Sequence, residues 1–240
     1  MTVHFDRQAS VIAFYSSWDG KRTYVSPETV IRTLRRRSIP PDARILDIGF
    51  GNGEIAVAVA QAFPHAQVEG IDLTERNVHF ARRKAADLGV ENILFRVGDI
   101  ESWQPRESSY DAVYAMQVMQ FINDPDALLE KLFVALRAGG ALLFATPFLP
   151  VREDLHAFFL DAFVRVIPNS FRYRTEDAWY AGLFDAGFER IYTAKAHWDP
   201  ETQPPQWQIL YRRAVEEHGL DYEIARRHTW GGLISARKPK

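Results

Sequence analysis

The chain contains no cysteine among its 240 residues, which excludes disulfides, thiolate metal sites and a cysteine nucleophile together. An excess of charge of either sign is also missing. Its 29 basic residues stand against 31 acidic ones, for a formal net charge of −2, so nothing draws the whole chain to nucleic acid or an anionic membrane. The densest basic cluster, Arg35, Arg36 and Arg37, reads either as a phosphate contact or as the solvated end of a helix, and its position favours the second. No apolar run is long enough to span a bilayer, and the opening MTVHFDRQAS lacks the basic and then apolar regions of a signal peptide. A cytoplasmic location is the expectation. Internal repeats and low-complexity tracts are absent.

What is present is the balance of a globular protein with a substantial core and a charged surface: 47% hydrophobic and 25% charged residues. The length suits one domain over residues 1–240, divided into an N-terminal cap segment (1–40), a core (41–147), a lid insertion (148–174) and a C-terminal part with a further helical insertion (175–240). Ser26 and Pro27 open a helix that the pair Pro40 and Pro41 has stopped. From there, apolar runs at 45–48, 67–71, 93–97, 112–115 and 141–145 alternate with helical patterns, which predicts a parallel sheet. Asp124 and Pro125 start one such helix, with Leu128, Leu129, Leu132, Phe133 and Leu136 as its apolar stripe and Gly139 and Gly140 as its end. Later strands are expected near 188–196, after a helix capped by Thr175 and ended by Gly187, and near 231–236. The stretch DLHAFFLDAFVRVI inside the lid is helical and aromatic.

The segment ILDIGFGNGEIAVAVA (45–60) carries the chemistry: a strand runs into Gly49, Gly51 and Gly53 and then directly into a helix. Glycines there let the backbone turn tightly and approach a ligand with no Cβ in the way. The spacing G-x-G-x-G differs from the dinucleotide pattern G-x-G-x-x-G and turns the reading away from NAD. At the end of the second strand, Asp72 in EGIDLTERN either accepts both hydroxyls of a ribose or caps a helix; one βαβ unit beyond the glycine turn, the first role is favoured. Asp99 in GDIESW either accepts from an adenine amino group, with the Ile100 backbone reading the ring, or makes a surface turn.

LDIGFGNG, GIDL, GDI and YDAVYAMQVMQFINDPDALL followed by LRAGG stand in register across residues 45–146. This stretch resembles the class I S-adenosylmethionine-dependent methyltransferases, in particular the small-molecule group. The resemblance implies an α/β, Rossmann-like, mostly parallel seven-stranded sheet with helices on both faces, plus a helical lid after strand 5. It places Asp47, Gly49, Gly51, Asn52 and Gly53 around the methionine part of S-adenosyl-L-methionine, Asp72 and Leu73 at the ribose, Asp99 and Ile100 at the adenine, and Met116 and Gln117 at the sulfonium end. Phe50 replaces a cysteine common in relatives, and Phe121 replaces a histidine that could assist deprotonation.

Methyl transfer from a sulfonium is an in-line displacement governed by positioning, with effective molarities of about 10⁵ M or more. An amine, enolate or acidic phenol needs no strong base, whereas an alcohol does. The candidate catalytic groups are Tyr15, from an N-terminal segment of the kind that closes over the cofactor, and His156 in the lid; Glu153, His4 and His197 are weaker. Trp18, Tyr24, Phe121 and Phe148 are the candidate acceptor contacts, and the lid aromatics Phe158, Phe159, Phe163, Phe171 and Tyr173 either pack the lid or wall an apolar pocket for an aromatic or hydrophobic metabolite. Two other functions stay open: a cofactor-dependent cyclisation, elimination or decarboxylation, and a non-catalytic S-adenosylmethionine-binding module. No metal is expected, because Asp124 and Asp126 belong to a helix start. The expected partner is a small-molecule methyl acceptor, not nucleic acid or membrane, and a homodimer is left open.

Overall fold

The strands are β1 (Arg44–Ile48), β2 (Gln67–Asp72), β3 (Ile93–Val97), β4 (Tyr110–Met116), β5 (Leu136–Phe148), β6 (Glu189–His197) and β7 (Trp230–Arg237); the central β1 and β4 are almost wholly buried, as strands covered on both faces are, whereas the edge strands β3 and β6 are mostly exposed or half-buried. They form one sheet in the order β3-β2-β1-β4-β5-β7-β6. Strands β1 to β5 pair in parallel, and β7 runs antiparallel between β5 and β6. This computed structural model describes residues 25–164, 172–197, 199–202 and 205–240. The seven-stranded Rossmann-like sheet is the architecture the sequence predicts.

Helices α1 (Pro27–Arg36), α2 (Glu54–Ala62), α3 (Glu75–Asp87), α4 (Pro125–Ala135) and α6 (Glu176–Asp185) cover the sheet. Their starts follow capping chemistry: Ser26 accepts from Thr29 N, Asp124 from Ala127 N and Thr175 from Ala178 N. On one face, Leu46, Ile48, Val113 and Phe144 meet Leu128, Leu129 and Leu132 of α4 and Trp179 of α6. On the other, Ile45, Tyr114, Met116 and Leu143 meet Val30 and Leu34 of α1 and Val59 of α2. Arg37 does not end in solvent: its guanidinium bonds Ser235 and lies 5.4 Å from the Tyr192 ring, tying the end of α1 to β7 and β6.

One boundary differs from expectation. Gly139 and Gly140 do not end α4, which stops at Ala135; they lie inside β5, where Gly139 takes φ +73 and its N–H reaches the carbonyls of Lys238 and Pro239. Leu136 already accepts the strand conformation, because it pairs with Tyr110.

The insertions also join in a way that local pattern does not reveal. Helix α5 (His156–Val164) of the lid packs on α7 (Pro205–Glu217) and α8 (Tyr222–Arg227) of the later insertion. Phe158 and Phe159 are fully buried against Tyr211, Ala214, Val215 and Ala225, giving this helical cap a core of its own. Phe158 sits edge-on to Tyr211 with centroids 5.2 Å apart. His218 and Asp161 add a 3.0 Å contact between the two insertions. The cap is held to the sheet at its neck, where Leu149 N donates to Arg174 O and Arg174 grips Asp126 with two hydrogen bonds of 2.6 and 2.7 Å.

Candidate active site

The sheet order reverses between β1 and β4, and a ligand crevice lies outside the carboxyl ends of strands at such a point. Gly49, Gly51 and Gly53 all take left-handed φ values, +65, +56 and +77. Their reasons differ. A Cβ on Gly53 would stand 2.6 Å from the Ala81 Cβ and 3.0 Å from its Cα, so this glycine lets α2 start against α3. A Cβ on Gly49 would stand 2.4 Å from Val118 Cγ2, in the turn after β4, so the two turns flanking the switch point are in contact. Among the described residues, a Cβ on Gly51 would meet nothing within 4 Å. There the turn faces open space, as a backbone that receives a ligand must. Asn52 turns inward on the loop itself, accepting from Glu54 N at 3.1 Å.

Asp72, at the end of β2, binds the turn to the next helix. Its Oδ2 accepts from Gly51 N at 2.9 Å; its Oδ1 accepts from Thr74 N and Oγ1, each at 2.9 Å, and from Asn77 Nδ2 at 3.1 Å. Burial pushes its pKa up, and these donors hold it back. Oδ2 keeps acceptor capacity for a further donor, since a carboxylate oxygen has two lone-pair sites. Leu73 follows, half-buried. Asp99 accepts from Glu101 N at 2.9 Å in the turn after β3, and Ile100 is buried beside it.

Met116 closes β4, buried against the same core as Ile45 and Tyr114. Gln117 then turns the chain with φ +64, an uncommon conformation for a residue with a side chain, while its N–H donates to Ala145 O at 2.9 Å. Its buried Nε2 has no hydrogen-bond partner among the described residues. Gln120 Nε2 donates to Gln117 O at 3.1 Å, and Thr146 Oγ1 reaches Gln120 Oε1 at 3.5 Å. Gln120 and Thr146, both buried, were not candidates in the sequence reading; MQVMQF offered two glutamines three apart and no means to separate packing from a site.

A further missed feature is the placement of Tyr114 on β4 beside Asp47 on β1. Asp47 is 2% exposed, and Tyr114, its register partner on β4, is 0% exposed. The Tyr114 hydroxyl lies beside the carboxyl and opposes the strong rise in pKa that burial imposes, with Asp72 pushing the same way as burial. Yet Asp47 Oδ2 and Tyr114 Oη complete no hydrogen bond of ordinary geometry with any described group. The only signal for this was Tyr114 inside the apolar run AVYAM (112–116).

The acceptor side is more scattered. Phe121 ends a single 3-10 turn (Met119–Phe121) and is buried at the joint with the cap, near Leu155, Phe158 and Phe159. Phe148 ends β5, buried, with its ring over Gly232. Phe158, Phe159 and Tyr173 belong to the cap's own core. His156 Nε2 pairs with Pro150 O at 2.6 Å, which leaves Nδ1 as its remaining ring nitrogen. Glu153 is exposed. His4, Phe14, Tyr15, Trp18, Tyr24 and Phe171, and the side chains of Phe163 and His197, lie outside the described residues. Asp124 caps α4 and Asp126 pairs with Arg174, as described; among the described residues no group of three or more histidines or acids is placed to hold a metal ion.

Residues 39–179 match the family described as a methyltransferase domain. Over 135 residues the chain is 32% identical to a trans-aconitate 2-methyltransferase of Variovorax paradoxus, covering 56% of this chain and 49% of that protein. It is also 32% identical over 132 residues to a malonyl-[acyl-carrier protein] O-methyltransferase of Bacillus anthracis, covering 55% and 48%. The chain thus spans about half the length of these two curated relatives. In fold it is similar to the YcgJ protein from Bacillus subtilis, with a TM-score of 0.72 at 19% identity over 89% of this chain and 98% of that one.

Proposed function

The chain belongs to the class I S-adenosylmethionine-dependent methyltransferase family, and from that membership we propose that it methylates a small molecule with a largely apolar or aromatic body. The observation that carries this reading is the glycine turn at the switch point, where no described residue covers Gly51 and the Asp72 carboxylate buttresses it from below. When bound, S-adenosylmethionine supplies an electrophilic methyl group on a sulfonium.

The chain's own residues do the positioning. Gly49, Gly51, Asn52 and Gly53 shape the backbone that receives the amino-acid arm; Asp72 and Leu73 take the ribose, with Oδ2 of Asp72 as the free acceptor site; Asp99 and Ile100 take the adenine. Met116 and Gln117 stand at the reacting end, and Gln117 Nε2 offers the unpartnered donor there. Phe121 and Phe148 form the acceptor wall and His156 is the candidate base through Nδ1; Tyr15, Trp18 and Tyr24 stay candidates on the sequence alone. The side chains at the ends of β4 and β5, Gln117, Gln120, Phe121, Thr146 and Phe148, include no ionisable base, and the candidate base His156 lies in the cap. This favours an acceptor atom that is already nucleophilic, so that holding nucleophile, carbon and sulfur in line supplies most of the rate.

Both named relatives have acids or acyl groups in their names, which makes oxygen acceptors the first to try. The test is formation of S-adenosylhomocysteine across a panel running from trans-aconitate and malonyl thioesters to phenols and aromatic acids. One mole of S-adenosylhomocysteine per mole of methylated product is expected. Product without S-adenosylhomocysteine would instead indicate a non-methylating reaction, and tight binding with no turnover a binding module.

A further inference from the structure

Tyr114 occupies the centre of a strand whose neighbours on the same face, Ala112 and Met116, are apolar, and Val30, Leu34 and Val59 close over that face from α1 and α2. Phenylalanine would fill this space equally well, so packing does not account for the hydroxyl. A buried hydroxyl without a partner is destabilising, and so is a buried carboxyl. Here the two are neighbours, Asp47 on β1 and Tyr114 on β4, and both Oδ2 and Oη are left incomplete. No lysine, arginine or histidine among the described residues forms an ion pair with Asp47. The groups that bear on its titration are Tyr114 from β4 and Asp72 from β2, the first favouring the ionised form and the second opposing it.

We infer that Tyr114 is a positioning residue for the cofactor: its hydroxyl orients the Asp47 carboxyl toward the cofactor's α-ammonium group, and Asp47 gives up a proton to solvent as that cation arrives. This rests on the cofactor reading of the site above. The ammonium brings three N–H donors and a positive charge to a place with unused acceptors and, among the described residues, no cation paired with Asp47. The balance is simple: the carboxylic acid loses one proton, the ammonium keeps all of its own, and the pair that results is neutral. In the unliganded chain burial and Asp72 keep the acid protonated to higher pH than an ordinary aspartate; beside the ammonium the carboxylate is favoured.

Calorimetry in two buffers of different ionisation enthalpy measures the effect. Two ligands are compared: S-adenosylmethionine and 5′-methylthioadenosine, which has the same nucleoside but no amino-acid arm. The work is done between about pH 5 and pH 7, below the usual α-amino pKa of about 7.7–8.0. S-adenosylmethionine should release up to about one proton and lose affinity about tenfold per pH unit where Asp47 is protonated in the free chain. 5′-Methylthioadenosine should release none and bind independently of pH.

In Tyr114→Phe the acid limb of the S-adenosylmethionine profile should move to higher pH, with affinity at neutral pH falling about tenfold, while 5′-methylthioadenosine binds as in wild type. Asp47→Asn should abolish the proton release. Equal proton counts for both ligands, or a Tyr114→Phe profile that superimposes on wild type, would overturn the inference and leave the methyltransferase reading standing. Failure of both ligands to bind at any pH would overturn the two together. The wild-type measurement decides by itself if either variant does not fold.

Discussion

The glycine turn and the helical cap are built by opposite means. The turn is made by residues within about one strand and one helix of each other, and its shape follows from left-handed φ values and the hydrogen bonds of Asp72. The cap is made by α5 meeting α7 and α8, segments separated in sequence by α6 and β6, and its shape follows from which apolar side chains find each other. Backbone conformation therefore sets the first region and side-chain packing the second. A change in one should spare the other, because their cores share no residue.

Phe158→Ala tests that independence with the largest expected effect. Emptying this fully buried site should cost about 3–5 kcal/mol, concentrated in the cap. Hydrogen exchange should show α5 and α7 opening while β1, β2 and β4 stay protected, with 5′-methylthioadenosine affinity unchanged. Uniform loss of protection across the sheet would break the comparison.

Gly53→Ala strikes the other region. Left-handed strain of about 1–2 kcal/mol adds to overpacking of about 1–3 kcal/mol, because the Ala81 backbone blocks the new methyl. Global stability by urea titration should drop accordingly. Gly51→Ala sharpens the contrast, since it carries the strain without the clash: stability should fall by only the first of these amounts while cofactor affinity falls further.

Asp72→Ala should lower cofactor affinity by about 1.5–3 kcal/mol, the range for hydrogen bonds to a charged group. An unchanged dissociation constant in a folded variant would remove Asp72 from the ribose.

The smallest effect belongs to the neck of the cap. Asp126 is about half exposed, so its pair with Arg174 contributes about 0.2–1 kcal/mol. Arg174 holds the Asp126 pKa below its ordinary value, so the contribution is complete above the unfolded pKa of about 3.9 and fades as pH falls through the lower folded value. Asp126→Asn should therefore be less stable than wild type at neutral pH and converge on it in acid.

The same division explains what could be read without coordinates. Apolar runs bounded by glycine or proline reveal β1, β2 and β3 because the whole pattern lies within a few residues; Asp124, Ser26 and Thr175 announce helices because capping is local. Gly139 and Gly140 mislead because a glycine pair after an apolar stripe reads as a helix end, whereas the carbonyls of Lys238 and Pro239 and the pairing of Leu136 with Tyr110 draw the segment into β5. The union of the two insertions leaves no local trace, since Phe158 and Tyr211 carry no sign that they will touch. At the site, the glycine turn, Asp72, Asp99 and the end of β4 were legible from their place after strands. Asp47 was legible as part of a motif, but its relation to Tyr114 depends on strand order, which pairs β1 with β4 and not with β3.

The placement of β7 bears on how the molecule assembles. It follows β6 in the chain yet lies between β5 and β6, and among the described residues β6 has no other partner in the sheet. Until β7 threads into that gap, β5 and β6 both present open edges, the kind that recruit strands from neighbouring molecules. Closing both edges thus falls to a single strand, and substitutions that weaken the pairing of β7 are expected to raise aggregation before they alter the glycine turn.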